Sequence, residues 1–446
     1  MNRERSSTYC WALSLTIGLA LGITSGGARI VEIHPATVNS DEEFERIANV
    51  LKPGDELVLH GGIYSQNGRR AVTAKGTAEN PIVIRAAAGE SPLLTRPTDT
   101  RDQQNNIEFV DCAYLVIRGL RFQGGSSGVR FIRGHHVTFE DCEIFETGNN
   151  ALNMNSGNCH AFFIRRNHIH HTGLSTSGPT EGEGMYIGCH SGSCRTTDSL
   201  IEGNYIHHTR GTSDGGNDGI EIKVGSCGNI VRNNVIHDTN IGRKYPGIFV
   251  YGGGPGTNLV EGNAIWNAGE GIQVVSDAIV RNNIIFDCSS GITAAPHAAM
   301  PRVSNTTIVN NTIFNAPVGV RMRWANAVNA IFANNAIYCA NSTALDVNTG
   351  STVLRNNYVR GRLRGIAVDG ARVVDGGDPA SAFVDAGRRN FWAGPGSALI
   401  GHADPAFSPR LDFNGVKRAV SFDVGAYASD GKARNPGWTI QPGFKR

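Results

Sequence analysis

Polar and apolar residues alternate in short runs along most of this chain, and apolar residues at helical spacing are missing from its middle. Nine runs share one pattern. The clearest are Arg166-Asn167-His168-Ile169-His170-His171-Thr172, Gly203-Asn204-Tyr205-Ile206-His207-His208-Thr209 and Asn233-Asn234-Val235-Ile236-His237-Asp238-Thr239. Later copies carry Asn263, Asn283, Asn311, Asn335 and Asn357, and Cys142 holds the Asn position in an earlier one. Copies recur every 20 to 37 residues or so, the range of a solenoid with loops of variable length. A second element follows each copy, a Gly and then an alternating strand, as in Gly219-Ile220-Glu221-Ile222-Lys223 and Gly247-Ile248-Phe249-Val250-Tyr251. Alternation buries one face and wets the other. Short strands in a fixed order stack best as coils whose strands pair in parallel, so the expected fold is all-β, a parallel β-helix. Ile220, Ile248 and Ile272 are expected inside; Glu221, Phe249 and Gln273 are expected outside. The recurring Asn is expected to form an internal ladder that satisfies backbone groups at a bend.

The expected divisions are a signal peptide at 1–28, an N-terminal cap and first coils at 29–115, the β-helix at 116–360, and C-terminal coils with an irregular cap at 361–446. Arg3 and Arg5, the apolar run at 11–24 and the small residues Ser25-Gly26-Gly27-Ala28 have the form of a secretory signal. A secreted or periplasmic protein with no membrane span is expected, because the apolar run is short for a bilayer. Ser40 and Glu43 form a capping-box pattern before Phe44, Ile47 and Leu51, predicting a short helix over the open first coil. Net charge is +2, and removing Arg3, Glu4 and Arg5 leaves about +1. Bulk charge therefore argues against a nucleic-acid binder. A monomer is expected.

Lys52-Pro53-Gly54-Asp55, Gly61-Gly62-Ile63-Tyr64 and the run from Gly76-Thr77-Ala78 to Ile82-Val83-Ile84 resemble the opening of secreted right-handed β-helix proteins. Polysaccharide lyases of the chondroitinase B and alginate lyase type share that opening. Asp412-Phe413-Asn414-Gly415-Val416-Lys417-Arg418 and Asp423-Val424-Gly425-Ala426-Tyr427 are similar to the closing segment of many bacterial β-helix proteins. Asn217-Asp218-Gly219-Ile220-Glu221 looks like the calcium-binding acidic motif of family 9 pectate lyases, in which a Lys on the following coil is the base. Phe249 stands at that place here, so the resemblance leaves Lys223 or Lys244 to substitute.

Eight cysteines remain after the signal, which suits an oxidising compartment. Cys159, Cys194 and Cys227 are expected at one turn of three successive coils. Cys159–Cys194, Cys194–Cys227 and Cys189–Cys194 are open as disulfides, and Cys189 with Cys194 could alternatively hold zinc.

Long polar insertions at 171–184 and 209–219 are expected to wall a cleft. Glu183 and Asp218 immediately precede their strand glycines and should stack as like charges about 5 Å apart, which a cation between them would relieve. With Asp214 and Glu221 they make a candidate Ca²⁺ ligand set. Lys223, Lys244, Arg243, Tyr251 and His190 are the candidate catalytic groups; Tyr186, Phe249, Arg321 and Arg323 are candidate substrate contacts. Cations beside aromatic rings fit an acidic polysaccharide. The leading expectation is a calcium-assisted polysaccharide lyase acting on a uronate glycan by β-elimination. A glycoside hydrolase, a C5-epimerase and a non-catalytic glycan-binding or adhesive β-helix are the competing readings. His170, His207 and His237 share one lane over three coils, which continues as Trp266, Phe286, Phe314 and Tyr338. A stack of flat rings accounts for all seven, with transition-metal binding as the alternative.

Overall fold

The computed structural model describes residues 27–35, 41–65, 70–98, 104–212, 216–239, 245–350, 352–418 and 422–429, together with Pro442 and Phe444. The expected signal peptide up to residue 26, Ser40, Asp214, Arg243 and Lys244 lie outside them. Each coil contributes three short strands, and strands of successive coils pair in parallel and in register. Three ladders result. The first runs from Ile30–Ile33 to Val353–Arg355 through 13 strands. The second contains His168–His170, Tyr205–His207 and Val235–Thr239; the third contains Met185–Ile187, Ile220–Ile222 and Pro246–Val250. The fold is a right-handed parallel β-helix, as expected.

Its interior is built by repetition. Ile169, Ile206, Ile236, Ile265 and Ile285 stack inside the second ladder, and Ile220, Ile248 and Ile272 inside the third, all fully buried. The asparagine ladder forms as the pattern predicts. Asn167 Nδ2 donates to Asn204 Oδ1 at 2.9 Å, Asn204 to Asn234 at 3.0 Å, and the series continues through Asn263, Asn283, Asn311 and Asn335 to Asn357. Each amide also donates to a backbone carbonyl left over at the bend, such as Ile201 O from Asn234. The Cys142 backbone N–H donates to Asn167 Oδ1, so the chain joins the ladder one coil early.

The residue before each ladder Asn is left-handed. Arg166, Asn233, Asn282, Asn310 and Asn334 have φ of 53–58°, while Gly203 and Gly262 take φ of 65° and 64°. Asn and Gly tolerate that region best, which is why Asn-Asn and Gly-Asn pairs recur. The glycine opening each third-ladder strand has a steric cause instead. A Cβ on Gly184, Gly219, Gly247, Gly271 or Gly291 would lie no more than 3.1 Å from a carbonyl oxygen of the next coil's glycine.

Helix Asp41–Asn49 covers the first coil, with Phe44 and Ala48 buried. Asn49 fixes it: its Nδ2 donates to Ala71 O, and its Oδ1 accepts from the Thr73 N–H. After Asn357–Arg364 and Val373–Asp375, which extend the second ladder, the chain folds back along that ladder's outer face. Phe383 and Phe391 pack there on Phe286, Phe314 and Tyr338. Arg418 is buried and donates to the carbonyls of Asp423, Gly425, Ala426 and Tyr427 and to Asn282 Oδ1, tying the tail to the coils.

Cys189 and Cys194 form a disulfide with a Cα–Cα distance of 5.0 Å, which settles the three-way choice and removes their thiolates from any zinc site. Cys159 and Cys227 are buried and free. The expectation of one shared turn needs correction: Cys159 faces Thr196 and Cys227 faces Thr197, so Cys194 lies short of their register. Among the described residues no helix is long and apolar enough to cross a membrane.

Candidate active site on the third ladder

The outer lane of the third ladder runs Asn153, Tyr186, Glu221, Phe249, Gln273, Thr293, Arg321 and Asp346, one residue per coil. On an open solenoid such a lane is solvated. Here the insertion at 171–184 and the described part of that at 209–219 bond to each other, Thr212 N–H to Thr180 O and Thr180 N–H to Thr212 Oγ1. Glu221 and Phe249 lie on the outer face as the alternation predicts, yet both are buried.

Lys223 is the centre of the site. Its Nζ forms an ion pair with Glu221 Oε1. The same Nζ lies 4.2 Å from the Tyr186 ring centroid and 5.2 Å from that of Tyr251. Burial pulls this ammonium's pKa down, but Glu221, Tyr186 and Asp218 outweigh burial and leave it raised. Lys223 therefore rests as a cation. Burial pushes both tyrosine hydroxyls up; Lys223 works against this at Tyr186, and Glu221 and Asp218 reinforce it at Tyr251.

Further carboxylates gather behind this pair. Glu183 and Asp218 occupy equivalent positions of adjacent coils, each carbonyl accepting from a backbone N–H of the coil before it, as the sequence pattern predicts. Both are almost completely buried. Burial and the charges of Glu221 and Glu181 push the Glu183 carboxyl up to about 8. Burial, Glu221 and Glu183 raise Asp218 well above the usual range. Both Glu183 oxygens, Asp218 Oδ1, Glu221 Oε2 and the side-chain amide of Asn217 are buried without a hydrogen-bond partner. Native proteins rarely leave so many polar atoms unsatisfied in one place. Clustered carboxyl oxygens that lack donors are the donor type of a hard divalent cation such as Ca²⁺. The three acids do not all bring an oxygen within 4.8 Å of one another; among the described residues only Glu143, His168 and His170 do that.

The rim is more open. His190 and Glu181 are exposed and Tyr186 is half-buried. His190 stands edge-on to Tyr251 at 5.7 Å, and His297 packs against Tyr251 at 4.9 Å. Phe249 stacks on Tyr251 at 4.0 Å, so it supports that ring and offers no open face. Arg321 lies four rungs from Glu221, about 19 Å away at 4.8 Å per rung. Arg323 forms a two-pronged bond to Asp346, with Arg321 3.9 Å from the same carboxylate. The structure thus brings Lys223, Glu221, Asp218, Glu183, Tyr186, Tyr251 and His190 together and keeps Arg321 and Arg323 apart. Sequence reasoning missed Glu181 and His297. The acid pair in Glu181-Gly182-Glu183 was a usable signal for the first; His297 comes from a distant turn with no repeat position.

A continuous β-helix carrying a lysine–carboxylate cluster under two loops defines the class of scaffold. The family model described as "Right handed beta helix region" matches residues 104–276 and 182–337, and the chain belongs to that family. A search of curated proteins finds no match. Solved structures share the fold. Pectate lyase Pel9A is 16% identical with a TM-score of 0.54, covering 90% of this chain and 96% of its own. XylC, solved with xylose, is 11% identical with a TM-score of 0.60, covering 89% and 98%. The A-module of the Azotobacter vinelandii mannuronan C-5 epimerase AlgE4 is 18% identical with a TM-score of 0.51, covering 72% and 91%.

Proposed function

We propose that this chain is an exported polysaccharide lyase that cleaves an acidic, uronate-containing glycan by β-elimination with the help of Ca²⁺. The observation that carries the reading is the buried Lys223, held between Tyr186 and Tyr251 and backed by carboxylates whose oxygens lack donors. Elimination requires removal of a weakly acidic C5 proton beside the sugar carboxylate, and nearby positive charge lowers that barrier. Glu183, Asp218 and Glu221 would hold the cation once their oxygens draw closer together than they stand in this structure, with Asp214 as a further ligand. Bound Ca²⁺ supplies positive charge to these acids and to the substrate carboxylate.

Lys223 serves as the base. With Glu221 unneutralised, its proton is held. Neutralising Glu221 and Asp218 together removes the carboxylate attraction, against which burial favours the free amine. Tyr186, half-buried with Lys223 Nζ over its ring, offers a hydroxyl proton to the departing glycosidic oxygen from the same point. His190 and Tyr251 flank this centre, and Arg243 and Lys244 are further candidate cations for the substrate. Arg321 and Arg323 would meet a chain lying along the lane several sugars away. The pectate lyase and the epimerase share the scaffold, and proton abstraction is common to lyase and epimerase chemistry.

A second reading has one observation in its favour. Glu183 retains its proton near neutrality, while Glu221 is paired with a cation; an acid and a carboxylate of this kind suit glycoside hydrolysis. Ultraviolet absorbance separates the two, because only elimination creates an unsaturated uronate. Absorbance rising on a uronate polymer, and lost in Lys223→Ala, supports the lyase. New reducing ends without absorbance support the hydrolase.

A further inference from the structure

Away from the Lys223 groove, on the second ladder, Glu143 stacks in register on His168, and Phe145 on His170. Glu143 Oε1 lies 3.1 Å from His170 Nε2 and 3.4 Å from His168 Nδ1. The three donor atoms all fall within 4.8 Å of one another. A tetrahedral ion with bonds of about 2.0–2.1 Å separates its ligand atoms by about 3.3 Å, so the two measured distances bracket the ideal.

The surroundings complete the pattern. The other nitrogen of each histidine already meets an imidazole: His168 Nε2 is 2.8 Å from His207 Nε2, and His170 Nδ1 is 2.7 Å from His171 Nδ1. Proton donation there leaves the lone pairs of His168 Nδ1 and His170 Nε2 facing Glu143, which is how neighbouring groups fix the tautomer of a metal-binding histidine. Arg121 takes Glu143 Oε2, orienting the carboxylate so that Oε1 remains for the ion. Side-chain exposure of the three is 14–21%, enough for one open coordination position toward solvent. Among the described residues, the C-terminal tail packs on this face in a cluster with Val235, Ala264 and Phe286.

We infer that Glu143, His168 and His170 form a binding site for a divalent transition-metal ion of the Zn²⁺ class. Two imidazoles and one carboxylate select such an ion over Ca²⁺, which prefers an all-oxygen shell. His170 also immediately precedes the insertion at 171–184, which carries Glu181 and Glu183 and leads into the strand of Tyr186. The ion would therefore pin the foot of a loop that walls the groove.

The test uses tag-free mature protein stripped with chelator, then titrated with Zn²⁺ against a chromophoric zinc chelator at neutral pH. One tight equivalent is expected, unaffected by excess Ca²⁺. Glu143→Gln should weaken it by tenfold or more, and His168→Asn with His170→Asn should abolish it. A second adjacent imidazole pair, His135 and His136, with Nδ1 atoms 3.0 Å apart, is the control. Changing both to Asn leaves the tight equivalent in place. Should the double variant fail to fold, X-ray absorption of the zinc-loaded wild type decides: two imidazoles and one oxygen from the protein are expected. No tight equivalent, unchanged binding in Glu143→Gln, or loss confined to the His135/His136 variant overturns the assignment.

Discussion

Replacing Glu183 by glutamine keeps the shape of the side chain and removes its ability to ionise. In the folded protein this carboxyl holds its proton up to about 8, against 4.5 for the free group. The folded protein therefore binds that proton more tightly than the unfolded chain. The resulting stability is complete below pH 4.5 and drains away as pH rises to about 8. At 1.4 kcal/mol per tenfold, the gap amounts to roughly 5 kcal/mol as an upper bound, since Asp218 and Glu221 share the charge. The Glu183→Gln variant would lose this contribution and keep only the part that Asp218 supplies. In chelator, wild type and Glu183→Gln should melt together near pH 5, and the variant should melt several degrees higher near pH 8.5. Calorimetry or dye-monitored melting across that range provides the measurement. Parallel pH profiles for the two proteins would refute the buried, protonated Glu183. Adding Ca²⁺ at pH 8.5 should raise the wild type and leave Glu183→Gln nearly unmoved.

Ca²⁺ affinity itself should strengthen as pH rises toward 8, because protons on Glu183 and Asp218 must leave first; a pH-independent affinity measured by calorimetry would count against those ligands. In the asparagine ladder, Asn263→Ala strips partners from the Asn234 backbone N–H, the Asn234 amide and Val231 O, all buried. At about 1–3 kcal/mol for each orphaned group, the loss should reach roughly 3 kcal/mol or more, seen as a lower denaturation midpoint; an unchanged midpoint would contradict the ladder's structural role.

Much of this fold is legible because a solenoid repeats its physics. The Asn before Ile in each copy predicts a buried amide ladder, and the structure contains one from Asn167 to Asn357. The ring lane is equally readable: His170 stacks on His207 at 5.1 Å, His207 on His237 at 5.2 Å, and His237 on Trp266 at 4.6 Å. Register likewise places Glu183 over Asp218. What alternation does not reveal is how far loops shelter an outward lane, so Glu221 and Phe249 read as wet and are buried. Nor does spacing find groups from irregular turns, such as His297. The Glu143–His168–His170 trio is obscured for a related reason: Glu143 belongs to a coil whose Asn position is Cys142, and His168 sits one lane away from the more regular ring stack.

The central claim is that Lys223 abstracts a proton from a uronate. The direct measurement is ultraviolet absorbance after mixing purified protein with a panel of uronate polysaccharides, with and without chelator, for wild type and Lys223→Ala. The account predicts rising absorbance on at least one polymer, abolished by chelator and by Lys223→Ala while the variant keeps its melting temperature. Absorbance that survives in Lys223→Ala, or no absorbance on any uronate polymer, would contradict it.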